Sequence, residues 1–277
     1  MFAEATERAL DYCRPIKTIS RIYKADDICP KTATLFFINA EGAAITCRHV
    51  AEEIMRSGKM NAKYESFKKE RNSIPEEANF RIETNRIERR YEYVKGETKV
   101  QLRYNFSRCF DKIERLGVEL HPTFDIAVIR FGGFGTPYFH SNGIFPTGAV
   151  KLRPGMSVCC LGFPVVEFND FRNVKELDDM QWTSTGNHLI SPYPTSGMVS
   201  HMNRGEDGKV TTFYITGTYG DGYCGAPVYD RTGKLVGVVV GNATKVIDGN
   251  EVQFTECVNA DIVRAFLREK NIKYFEE

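Results

Sequence analysis

The sequence predicts an all-β protein of sandwich or barrel type with a few added helices. Short apolar runs of four to eight residues recur along the chain, separated by Gly- and Pro-rich punctuation. A densely charged stretch interrupts them once, and the last segment changes to helical periodicity. At 277 residues and 42% hydrophobic, the chain builds the core of one large or two small domains.

The first dozen residues suit a short helix, and residues 1–28 are expected as an N-terminal arm or helix. TLFFINAEGAAITCRHV holds two apolar runs around Asn39-Ala40-Glu41-Gly42, a hairpin signal with Gly available for positive φ. EEIMRSGKMNAKYESFKKERN is helical by its straight-chain residues. From Ile82-Glu83-Thr84 to Val100-Gln101-Leu102-Arg103-Tyr104 the pattern is strand-like, with alternation at Val100, Leu102 and Tyr104. Residues 52–119 carry interspersed charges of both signs, so they predict a solvated excursion instead of a basic binding surface. DIAVIRF, KLRPGMSVCCLGFP, TSGMVSHM, KVTTFYITGT and GKLVGVVVG follow as strands. NADIVRAFLREKNI places Ile262, Val263, Phe266 and Leu267 on one helical face, with Asn259 or Asp261 as N-cap.

Composition excludes several classes. A formal charge of +1 lacks the overall footprint of a dedicated nucleic-acid binder, so nucleic acid is not indicated as a partner. No window has the ~18 apolar residues that cross a bilayer, and MFAEATERALDYC has no apolar signal core. Eight cysteines are too dilute for a disulfide scaffold, and none forms CxxC; the close pair is Cys159-Cys160. No metal site of common spacing and no cofactor is expected. Free thiols point to a reducing compartment: the cytoplasm, or a host's cytoplasm for a viral protein or secreted effector.

The sharpest signal is Gly220-Asp221-Gly222-Tyr223-Cys224-Gly225-Ala226-Pro227-Val228. Glycines crowded around one cysteine describe a tight turn that presents a side chain. Such a turn also aims backbone N–H groups at one point, as acyl transfer requires. The plainer alternative is a glycine-rich hairpin with an incidental buried thiol. His49 ends the run Ala43-Ala44-Ile45-Thr46-Cys47-Arg48-His49-Val50, and Asp125 precedes Ile126-Ala127-Val128-Ile129. A strand-end His and a turn Asp are ordinary singly. Their order, His then Asp then a nucleophile in a Gly-rich turn, suits nucleophilic acyl transfer, which needs a base and a group to orient it. Of the other histidines, His121 suits a turn, and His140, His188 and His201 have no acidic partner at suggestive spacing. Cys47, Cys159 and Cys160 suit buried positions.

These pieces resemble the chymotrypsin-like (trypsin-like) fold family in its cysteine-nucleophile branch, over about Thr32 to Leu267. The resemblance implies two six-stranded antiparallel β-barrels with the active site between them. On that pattern residues 29–140 form the first barrel, with the charged insertion at about 52–119. Residues 145–258 form the second, and 259–277 a C-terminal helix and tail. It implies His49 as general base, Asp125 as orienter and Cys224 as nucleophile, with the N–H groups of Gly222 and Cys224 as oxyanion hole. Secreted serine members carry cysteines where this chain has Val50 and Gly220.

The function implied is a cysteine endopeptidase acting on a protein or polyprotein through an acyl-enzyme thioester. Thr218, Val239, Val240 and Gly241 take the substrate-pocket positions. None is charged, and none is the His that reads glutamine in viral members, so the acyl-side residue is expected to be uncharged. The alternative is a catalytically idle protease-fold module that binds protein or RNA partners, the 52–119 segment carrying the contact in one version.

Overall fold

The structure is a computed structural model and describes residues 2–277. Helix α1 (Ala3–Tyr12) leads into strands β1 (Cys13–Ile22), β2 (Ile28–Phe37) and β3 (Ala43–Thr46). Two helices follow, α2 (Arg48–Asn72) and α3 (Phe80–Tyr91), then β4 (Lys99–Phe106), β5 (Arg115–Leu120) and β6 (Ala127–Gly132). The second half holds β7 (Ile144–Phe145), β8 (Ser157–Gly162), β9 (Phe171–Val174), β10 (Asp179–Trp182), β11 (Tyr193–Arg204), β12 (Val210–Thr216) and β13 (Pro227–Tyr229). It ends with β14 (Leu235–Ile247), β15 (Asn250–Asn259), α4 (Ala260–Glu269) and β16 (Phe275–Glu276).

The strands form two six-stranded antiparallel units. The first is a sheet ordered β4-β1-β2-β3-β6-β5; the second closes into a barrel, β11-β12-β15-β14-β13-β8. The β2–β3 hairpin turns where the sequence places it: Gly42 has φ +84°, and a Cβ there would stand 2.9 Å from the Phe131 carbonyl. One continuous apolar core joins the halves, with Leu35, Phe36 and Val128 from the first and Leu235, Val238 and Phe266 from the second. The two units are therefore held together by shared apolar packing. Helix α4 is capped by the Asn259 side chain, which accepts from Asp261 N at 3.0 Å, and it buries Val263, Phe266 and Leu267.

The charged segment departs from expectation in three ways. Ile82–Thr84 lies in helix α3, whose start is capped by the Asn79 side chain. Lys99–Phe106 is a strand, as the alternation at Val100, Leu102 and Tyr104 predicts, but it and Arg115–Leu120 belong to the first sheet instead of to an excursion, as does Cys13–Ile22, expected as part of an arm. The helical remainder is also more than a solvated excursion. Tyr64, Phe67, Ile87 and Tyr93 form a separate core with Tyr23 and Val100. Asp178, between β9 and β10, accepts from the Tyr64 hydroxyl at 2.8 Å and pairs with Arg21 and Arg71 at 2.8 and 3.1 Å. The helices are thereby tied to a hairpin of the second half.

A buried ion pair makes a second tie. Lys17 Nζ of β1 lies 2.7 Å from Asp170 Oδ2, the side chains 2% and 7% exposed. Removing one partner strands the other charge, which costs about 3–5 kcal/mol. His188 Nδ1 also reaches Asp170, at 2.8 Å, so this histidine has an acidic partner that its sequence spacing hides. With that second partner in place, Lys17→Met should lower stability by about 3 kcal/mol, the bottom of that range. A urea-denaturation midpoint reads the effect, and a change below 1 kcal/mol would mean the pair contributes little.

Candidate active site

Strand β3 ends at Thr46, whose hydroxyl donates to the Thr34 carbonyl at 2.8 Å. Cys47 occupies the N-cap of α2 in an extended conformation and makes no side-chain cap. His49 thus lies in the first helical turn, not at a strand end. The missing cap comes from Asp125: Oδ1 accepts from His49 N at 2.8 Å, and Oδ2 meets His49 Nδ1 at 2.6 Å. One carboxylate therefore satisfies an orphan N–H at the positive end of α2 and fixes the imidazole, leaving Nε2 free.

The loop carrying Asp125 is held by two residues not foreseen as part of the site. His121 Nδ1 accepts from the N–H groups of Thr123 and Phe124 at 3.1 and 3.0 Å. Burial lowers the pKa of this imidazole, in keeping with an unprotonated acceptor. Arg48 donates to the carbonyls of His121 and Pro122 at 2.8 and 3.0 Å, so the helix that holds His49 also grips the Asp125 loop.

Cys224 follows a 3₁₀ turn, Asp221–Tyr223. Its carbonyl accepts from Thr34 N at 2.9 Å, and Thr34 Oγ1 donates to the Gly222 carbonyl at 2.7 Å. The nucleophile turn of the second unit is thus moored to the first sheet. A ring nitrogen of His49, Cys47 Sγ and Cys224 Sγ lie within 4.8 Å of one another. Cys47, read from sequence only as a buried residue, is fully buried and donates to the Val239 carbonyl at 3.3 Å. Its single proton can serve either the carbonyl or Cys224 Sγ, and an ionised sulfur there is the stronger acceptor.

Hydrogen bonds from Asp125, then Cys224, push His49 up to about 10. Hydrogen bonds from Cys47, then His49, outweigh burial and bring the Cys224 thiol down to about 6. The arrangement favours a thiolate beside an imidazolium.

The expected oxyanion pair, Gly222 and Cys224, is not open in this conformation. The Cys224 N–H donates to the Asp221 carbonyl at 2.9 Å, closing the 3₁₀ turn. The pocket positions also separate. Val239 is buried in the core of the second barrel, Val240 and Gly241 are half-buried, and Thr218 is exposed. Val239 therefore does not line an accessible pocket, because its side chain faces away from its neighbours in β14.

A profile of the trypsin-like peptidase domain matches residues 33–238. The chain belongs to that family. As a trypsin-like peptidase domain it is of the chymotrypsin fold and falls among hydrolases whose substrates are proteins. Among solved structures it is similar to an HtrA-type protease, AlgW with decapeptide, at a TM-score of 0.52 and 13% identity. The match covers 97% of this chain and 67% of that one, and at this identity it is a likeness of fold. A search of curated proteins finds no match. Among the described residues, no helix of this trypsin-like domain is long and apolar enough to cross a membrane.

Proposed function

We infer that the protein is a cysteine endopeptidase with Cys224 as nucleophile, His49 as acid and base, and Asp125 as orienter. The observation that carries this is the meeting of three sequence-distant groups: Asp125 on His49 Nδ1 at 2.6 Å, and the His49 ring beside Cys224 Sγ. The Cys224 thiolate attacks the scissile carbonyl, and the His49 imidazolium gives its proton to the leaving amine. Water, deprotonated by His49, then hydrolyses the thioester. Rotation of the Asp221–Gly222 peptide would release the Cys224 N–H to serve, with that of Gly222, the tetrahedral oxyanion. All eight cysteines are free thiols, and a reducing compartment such as the cytoplasm keeps Cys224 competent.

The closed turn favours one second reading, an idle protease-fold module that binds partners. Trapping separates the two: an electrophilic peptide that captures the nucleophile should label Cys224 and no other thiol. Binding without labelling or cleavage would support the module.

The charge state predicts the pH profile of labelling. A thiol lowered to about 6 is ionised above that pH, so alkylation of Cys224 should reach half its plateau near pH 6 and fall about tenfold per unit below it. Iodoacetamide labelling with peptide mapping reads this. A half-plateau near 9.0, the ordinary thiol value, would remove the ion pair from the mechanism.

Specificity follows from the uncharged pocket positions. Burying an unpaired charge there costs several kcal/mol, whereas a medium apolar side chain gains roughly 1.5–3 kcal/mol. A peptide-library profile should show a small or medium uncharged residue on the acyl side. Strong selection for Arg, Lys or Gln would require a contact from outside Thr218, Val240 and Gly241.

A further inference from the structure

The hydrolytic cycle uses His49 and Cys224 but assigns no step to Cys47, whose sulfur lies within 4.8 Å of the Cys224 sulfur and of a ring nitrogen of His49. We propose that Cys47 Sγ, Cys224 Sγ and His49 Nε2 form a binding site for a thiophilic divalent cation of the zinc class, and that its occupancy silences the nucleophile. The silencing rests on the peptidase reading; the binding does not.

Three points support the site. Ligands at about 2.3 Å for sulfur and 2.0–2.1 Å for nitrogen around a tetrahedral cation stand roughly 3.5 Å apart, inside the span these atoms occupy. Asp125 holds Nδ1 at 2.6 Å, the carboxylate–imidazole arrangement that orients a metal-binding histidine and presents its other nitrogen. Two sulfurs and an imidazole select zinc, cobalt or cadmium over calcium and magnesium, which take oxygen ligands.

The step balances without electron transfer. The cation binds the two sulfurs and Nε2, and two protons leave, one from the Cys47 thiol and one from the His49 imidazolium; affinity therefore rises with pH. Three protein ligands leave a fourth position to water from the cleft, since His49 is exposed and Cys224 half-buried. Sequence spacing conceals the site because Cys47 and Cys224 come from different units of the fold.

Cobalt(II) is the probe, titrated into the chelator-treated full chain under a non-thiol reductant. Binding should bring thiolate-to-cobalt charge transfer in the near ultraviolet and the visible bands of four-coordinate cobalt, with zinc displacing it. Cys47→Ser should halve the charge-transfer intensity and weaken binding more than about tenfold; Cys224→Ala should do the same. Zinc X-ray absorption on the unsubstituted protein avoids any folding defect of the variants and should find two sulfurs. No charge-transfer band, one sulfur, or full intensity in either variant would overturn the proposal. Peptide cleavage is measured separately in chelator. Cobalt bound without cleavage there would sink the peptidase reading alone, and cleavage without thiolate-bound cobalt would sink the metal site alone.

Discussion

Cys224→Ala should lower kcat/KM by at least about 10⁴-fold, and His49→Ala by a similar factor, because the neighbouring Cys47 thiol is fully buried and no second base stands beside Cys224. The nucleophile makes the covalent bond, and both proton transfers pass through the imidazole. The double variant should be scarcely worse than either single one, since the two residues act as a unit. Asp125→Asn should fall in between. Its carbonyl oxygen can still accept from His49 N, and a thiolate already held down by Cys47 and His49 depends less on the orienter than a serine would. A fluorogenic peptide from the library profile gives the rates, and circular dichroism controls for folding. A Cys224→Ala protein that keeps a tenth of the activity would remove Cys224 as nucleophile. Equal losses for Asp125→Asn and His49→Ala would mean that the ion pair does not form without the carboxylate.

The parts of the fold legible in the sequence are those decided locally. The hairpin at Gly42 needs a positive φ, the strand segments are bounded by glycine, and α4 carries its own cap and apolar face. What sequence misplaces is decided by distant partners. ITCRHV continues plausibly as a strand, but Asp125, far along the chain, caps the backbone at His49 and starts a helix there. Ile82–Thr84 has the β-branched look of a strand. The Asn79 cap and the Glu83–Arg86 pair at 3.1 Å stabilise a helix instead. Arg103, an ordinary surface residue by type, pairs with Asp179 at 2.8 Å, and β4 is held in the first sheet by β1. The candidate site divides in the same way. The order His49, Asp125, Cys224 is visible in one dimension, whereas Cys47 beside Cys224, or Asp170 beside His188, is created by packing. The open or closed state of the Gly222–Cys224 turn depends on one peptide orientation, which no residue type encodes.

Gly225→Ala should be among the most damaging single methyls in the protein, and the reason lies in both units at once. Gly225 has φ +87°, so an alanine there is strained before any contact is counted, by about 1–3 kcal/mol. Its Cβ would stand 2.2 Å from the Thr34 carbonyl oxygen, 2.6 Å from Thr46 Oγ1 and 3.0 Å from Thr46 Cα. None of these atoms is free to yield. Thr46 Oγ1 donates to that same carbonyl at 2.8 Å, and Thr34 N donates to Cys224 O at 2.9 Å. Overpacking against a fixed core adds roughly 1–3 kcal/mol, for a total of about 2–6 kcal/mol. Relief requires the turn to back away from β2, which carries Cys224 off His49; a displacement of about 1 Å costs on the order of 10²-fold in rate. Gly58→Ala is the matched control. Gly58 lies inside α2 with nothing within 4 Å of its Cβ position, so the same methyl should stabilise by about 0.5–1 kcal/mol. Urea titrations should therefore move in opposite directions, and only Gly225→Ala should slow cleavage beyond its effect on the folded fraction. A Gly225→Ala protein with parental stability and rate would mean that the turn is not clamped between the two units, and the clamp is what sets the distance from Cys224 to His49.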